Sequence, residues 1–137
     1  WDPIYWGDFG ENAPCLPHDS LSIFCYHVGQ LDDTDQRESY YHGCGIGLSL
    51  LDYFVNWAEA HDFYAITAKF VPPVREVMSF MGGQPLETYL ERGFELRSQW
   101  IDKQLHEVLI EKELVTDGSN LVEVATVGCC VKYFSNM

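Results

Sequence analysis

Residues 42–47 read His-Gly-Cys-Gly-Ile-Gly, three glycines at alternate positions, directly ahead of the run LSLLDYFVNWAEAH. Bare backbone at that spacing can serve a turn that needs positive φ, which glycine adopts without steric cost. It can also serve an anion, because a helix start presents N–H groups and a partial positive charge to phosphate oxygens. Two known phosphate loops are excluded. Counted from Gly45 the chain reads GIGLSL, without the third glycine of a dinucleotide fingerprint, and no Gly-Lys-Ser/Thr of a P-loop is present.

The other chemistry-bearing side chains are cysteines and histidines. Cys15, His18, Cys25, His27, His42 and Cys44 are all ligand types, but Cys15-x-x-His18 and Cys25-x-His27 have no recognised spacing for a structural zinc site, and no metal is expected. His27 is a candidate general base, with a hydrogen-bonded structural histidine as the alternative reading. The five cysteines, Cys15, Cys25, Cys44, Cys129 and Cys130, are odd in number and form no CxxC pair. Reduced thiols in a cytoplasmic protein are the expectation.

These residues must be positioned by a small set of elements. Residues 1–20 are rich in Pro, Gly, Asp and Asn and are expected to be irregular. Leu21–Val28 (LSIFCYHV) reads as a buried strand, Gly29–Tyr41 as a polar connection, and Gly45 to about His61 as a helix with Leu48, Leu51, Phe54, Val55 and Ala58 at helical spacing. Phe63–Phe70 is a second buried strand, so the pattern is βαβ with two parallel strands. VPPVREVMSFM and Pro85–Arg92, closed by Gly93, read as short helices. FELRSQWID, LHEVLIEKEL and LVEVATVGCCVKYF are expected to be strands.

With 137 residues, 47% hydrophobic and 15% aromatic, the chain is expected to form one folded domain with a real core. Its formal charge of −13 disfavours nucleic acid and anionic lipid and favours cationic partners. No apolar run approaches the roughly 20 residues of a membrane span.

HGCGIGLSLLDYFVNWAEAHDFYAITAK resembles the acetyl-CoA pyrophosphate motif of the GNAT superfamily of N-acetyltransferases, in which Arg or Gln, two residues, Gly, any residue and Gly or Ala precede a helix. FMGGQPLETYLERGFEL is similar to the segment in which that family carries Tyr-x-x-x-Gly-Phe, here Tyr89 to Phe94. The two motifs stand in the family's order and at about its spacing, over residues 21–114. The resemblance implies an α/β (α+β) fold: a GNAT-like mixed central sheet with a βαβ acetyl-CoA-binding core and flanking helices. Residues 1–20 would be an irregular segment, 21–114 the acetyl-CoA-binding core and 115–137 a C-terminal extension with a strand.

The activity implied is acetyl transfer from acetyl-CoA to a primary amine. A lysine-like amine is protonated at pH 7 at a deficit of roughly 4 to 5 kcal/mol, so a base or water path must take its proton. A backbone N–H must stabilise the oxyanion, and an acid must meet the leaving thiolate. By resemblance, Tyr26, His27 and Val28 fall where the family's main chain meets pantetheine and the thioester carbonyl. His42, Gly43, Cys44, Gly45, Ile46 and Gly47 fall at the pyrophosphate, and Tyr89 would protonate the sulfur, with core packing as its alternative role.

His42 stands where the family has Arg or Gln, and only about twenty residues precede LSIFCYHV, where family members place a strand, two helices and further strands. A catalytically silent domain of the same fold, binding acyl-CoA or another ligand as a sensor or interaction module, is the second functional expectation. Trp1, Tyr5, Trp6 and Phe9 among Asp2, Asp8 and Glu11 suit a cationic acceptor through ring faces and carboxylates, or else cover a sheet edge. The shortened N-terminal half also leads to the expectation of a homodimer in which Trp1–Phe9 or Leu121–Phe134 pairs with a neighbouring subunit. The competing arrangement has Leu121–Phe134 fold back within its own chain.

Overall fold

In the computed structural model, residues 19–23 and 45–134 are described. Strand β1 (Ser20–Ile23) is followed by helix α1 (Ile46–Ala60), strand β2 (Ala65–Phe70) and two short helices, α2 (Arg75–Met81) and α3 (Leu86–Leu90). Strand β3 (Glu95–Ile101), helix α4 (Lys103–Glu111), helix α5 (Leu121–Ala125) and strand β4 (Thr126–Tyr133) complete the order. The result is a mixed α/β architecture with a four-stranded sheet in the order β1-β2-β4-β3. No described helix is long and apolar enough to cross a membrane.

β1 and β2 are parallel, with Ser20 opposite Ala65 and Ile23 opposite Ala68, and α1 lies between them in sequence, as the βαβ pattern requires. β4 pairs antiparallel with β2 on one side and with β3 on the other. Residues 126–133 therefore fold back into their own sheet, and β4 has no open edge to offer a neighbouring subunit. Trp1–Phe9, the other segment expected to pair between subunits, lies outside the described residues.

α1 forms because Leu51, Val55 and Ala58 recur on one face and are buried there. It ends as Asp62 takes a left-handed φ of 61° and Phe63 N donates to Ala58 O at 3.1 Å, a reversal that closes the last turn. Along β2, Ile66, Ala68 and Phe70 face α1, and they pack with Leu51, Val55, Ala58, Tyr89, Phe94 and Cys130 into the largest core cluster. The opposite register residues, Ala65 with Cys129 and Val131, form a second buried patch beside Trp100 and Tyr133.

Two expectations are corrected. LHEVLIEKEL is not a strand: Lys103–Glu111 is α4, started by Asp102, whose carboxylate accepts from Leu105 N at 3.0 Å. Leu105 and Leu109, four apart, are the buried residues, so helical spacing decides over the β-branched content. The segment Leu121–Phe134 is a strand only from Thr126. Its first five residues form α5, held by Asn120 Oδ1 accepting from Val122 N at 2.9 Å.

Candidate functional site

The glycine turn is described from Gly45 onward. Gly45 has φ 75° and ψ 13°, a left-handed conformation that glycine adopts without strain, and it sits at the N-cap of α1. Its carbonyl accepts the first helical bond from Ser49 N at 3.0 Å. Among the described residues, a Cβ built at Gly45 would meet nothing within 4 Å, so the glycine answers a backbone need rather than a steric one. Gly45 is exposed, Ile46 and Gly47 are half-buried, and the first turn of α1 carries no acidic residue. Of the other residues expected here, Tyr26, His27, Val28, His42, Gly43 and Cys44 lie outside the described residues.

Tyr89 is fully buried in the cluster on the α1 side of the sheet. Its ring meets Phe94 edge-on at 5.1 Å, and its carbonyl accepts from Arg92 N at 3.0 Å and Phe94 N at 3.1 Å. The Tyr-x-x-x-Gly-Phe spacing thus has a physical reason: Gly93, at φ 86°, turns the chain so that Phe94 falls back onto Tyr89. The turn is also held from the sheet, where Lys132 Nζ on β4 donates to Arg92 O at 2.8 Å. A Cβ at Gly93 would come within 2.7 Å of that nitrogen.

Sequence reasoning missed what joins the two motifs. Arg92 Nε donates to Asp52 Oδ1 at 2.6 Å, linking the end of α3 to the middle of α1, and Arg92 Nη1 donates to Thr88 O at 3.0 Å. The hydrogen bond from Arg92, helped by the guanidinium charge, holds the Asp52 carboxyl below its ordinary pKa against the opposing effect of desolvation. Asp52 sits on the solvent side of an amphipathic helix, where a carboxylate is unremarkable, and no local pattern pairs it with a guanidinium 40 residues away.

On the other sheet face Thr67 Oγ1 lies 3.1 Å from Cys129 Sγ and donates to Cys130 O at 3.2 Å. Cys129 and Cys130 are free thiols, and burial pushes both upward in pKa, which makes them poor nucleophiles. They are packing residues here. Among the described residues no group of three or more His, Cys, Asp or Glu is placed to hold a metal ion.

The described site therefore consists of a left-handed glycine opening a long helix, a buried tyrosine in a glycine-closed turn, and an ion pair connecting them. No family model, curated protein or solved structure matches the chain.

Proposed function

We propose that the chain is an acetyl-CoA-dependent N-acetyltransferase of the GNAT type, acting on a primary amine. The observation that carries this reading is the convergence of its two motifs. The helix opened by Gly45 and the Tyr89–Phe94 turn pack in one core on one sheet face and are joined by Asp52 and Arg92. The parallel β1–α1–β2 unit is the core such a domain uses, and the absence of any described atom within 4 Å of a Cβ at Gly45 leaves the start of α1 approachable by a diphosphate.

In this reading acetyl-CoA supplies an acetyl thioester. Gly43 to Gly47 hold the pyrophosphate through backbone N–H groups, and His42 stands beside them. Backbone at Tyr26–Val28 orients the thioester and stabilises negative charge on the carbonyl oxygen. The amine nitrogen bonds to the carbonyl carbon and the C–S bond breaks. The amine's proton leaves through His27 or water, and Tyr89 gives its phenolic proton to the thiolate and is restored by the proton that the amine released. A surface carrying −13 favours a cationic acceptor.

One observation favours the second reading, a silent GNAT-like domain that binds acyl-CoA as a sensor or interaction module. Tyr89 has no exposed surface and is packed against Phe94. CoA release measured against a panel of primary amines separates the two. Turnover with any amine supports the enzyme; binding of acetyl-CoA without turnover supports the silent domain.

A further inference from the structure

Residues 116–119 read Thr-Asp-Gly-Ser, and Asp117–Gly118 is the one Asp-Gly or Asn-Gly step in the chain. The segment joins α4 to α5 and is folded as a turn. Ser119 N donates to Thr116 O at 3.0 Å and Thr116 N donates to Ser119 Oγ at 3.1 Å, so the chain reverses around Asp117 and Gly118. Asn120, the next residue, then caps α5.

The two central residues of that turn are chemically unprotected. Both are exposed. Among the described residues the Asp117 carboxylate meets no cation or hydrogen-bond donor, and the Gly118 N–H meets no acceptor. A Cβ built at Gly118 would meet nothing described within 4 Å, and its φ lies outside the left-handed region, so the glycine answers no steric or backbone need. It leaves the amide nitrogen bare, one residue from a carboxyl group that is free to turn toward it. The other aspartates of the helical region differ on both counts. Asp52 is tied to Arg92 and Asp102 to Leu105 N, and each precedes a residue with a long side chain, Tyr53 and Lys103.

We infer that Asp117 is a self-modification site, which in the folded protein cyclises onto the Gly118 nitrogen and reopens as isoaspartate. The nitrogen bonds to Asp117 Cγ, and one carboxyl oxygen departs as water with the amide proton and one proton taken from solvent. A five-membered succinimide results. Water then adds to its main-chain carbonyl carbon and breaks the bond from that carbon to nitrogen. The product carries a free α-carboxylate, and its main chain runs through Cβ and Cγ, one carbon longer than before. Mass and charge return to their starting values. The added carbon lies inside the turn that Thr116 and Ser119 close, directly before the Asn120 cap, so the exposed connection between α4 and α5 is where chemical ageing reaches the fold. This inference is independent of acetyl-CoA binding.

The test incubates the full folded chain at neutral pH and physiological temperature beside a synthetic peptide of residues 113–121. Trypsin then releases the site in one fragment, residues 113–132, since no Lys or Arg lies between Lys112 and Lys132. Electron-transfer fragmentation distinguishes the two linkages of equal mass. Isoaspartate should accumulate at Asp117 in the folded chain at a rate within about 10-fold of the peptide's. Gly118→Val, whose side chain shields the nitrogen, should slow it by at least about 10-fold. Asp117→Glu keeps the charge but would have to close a six-membered ring, and should form no such linkage. A folded-chain rate more than about 10-fold below the peptide's overturns the inference, because the turn would then hold the two groups apart. So does an unchanged rate in Gly118→Val, which would mean that the Gly118 nitrogen is not the attacking group.

Discussion

Arg92 closes on Asp52 in a two-pronged contact, Nε to Oδ1 at 2.6 Å and Nη2 to Oδ2 at 3.4 Å, and so fastens α3 to α1. Both side chains reach solvent, so the pair is worth little as isolated Coulomb energy. Its consequence is geometric, since it fixes the Tyr89–Phe94 turn against the helix that Gly45 opens.

The pair makes acid sensitivity specific. Asp52 is depressed in pKa in the folded protein, so its contribution to stability is present above the ordinary carboxylate value of about 3.9 and is lost as pH falls through the lower folded value. Thermal melts of the native protein and Asp52→Asn should differ at pH 7 and converge as pH drops below about 3.9. A gap that stays constant down to the lowest pH at which both fold would show that Asp52 acts through something other than its charge.

Tyr89 is expected to serve both packing and proton delivery, and two substitutions separate these. Tyr89→Phe should keep the fold and acetyl-CoA affinity while lowering kcat by roughly 100-fold. Tyr89→Ala should cost about 3 to 5 kcal/mol by opening a cavity beside Phe94. Normal turnover in the Phe variant would make Tyr89 a packing residue alone.

The helix read as a strand offers a direct check on the architecture. Asp102→Ala removes the side chain that caps α4 at Leu105 N and should cost about 1 kcal/mol in denaturant melts. No cost would mean that residues 103–111 do not begin a helix there.

Glu113 holds a φ of 59° just beyond α4, and Leu114 N donates to Leu109 O at 2.9 Å across that turn. A residue with a Cβ is strained in this conformation, by roughly 1 kcal/mol. Glu113→Gly should therefore raise stability by about 0.5 to 1 kcal/mol, read as a higher denaturant midpoint at unchanged slope. An unchanged or lower midpoint would count against the left-handed turn.

The parts of the fold legible from sequence were those governed by local periodicity. Leu48, Leu51, Phe54, Val55 and Ala58 announced α1, although Leu48 is exposed, and the dense run Phe63–Phe70 announced the buried strand that spans Ala65–Phe70. Gly93 announced the end of the α3 segment. What local pattern could not give was partner choice over long separations: β4 inserts between β2 and β3, and Arg92 finds Asp52. The misreading of α4 has a different root, because the signals that decide it are local. Val108, Leu109 and Ile110 suit a strand by composition, and the deciding facts were the cap at Asp102 and the spacing of Leu105 and Leu109. At the site, the left-handed turn at Gly45 followed from glycine's freedom. The burial of Tyr89 depended on how β2, β4 and α1 pack around it.

The claim that the start of α1 receives the pyrophosphate of acetyl-CoA is tested most directly by calorimetric titration of acetyl-CoA into the native protein and Gly45→Asn. Asparagine tolerates the left-handed φ of 75° better than other side chains, so the turn should survive, while its amide would stand in the approach to the helix start. The account predicts saturable binding to the native protein and an affinity at least about 10-fold lower in Gly45→Asn, with an unchanged circular dichroism spectrum. Absence of binding to the native protein, or equal affinity in the folded Gly45→Asn protein, would contradict it.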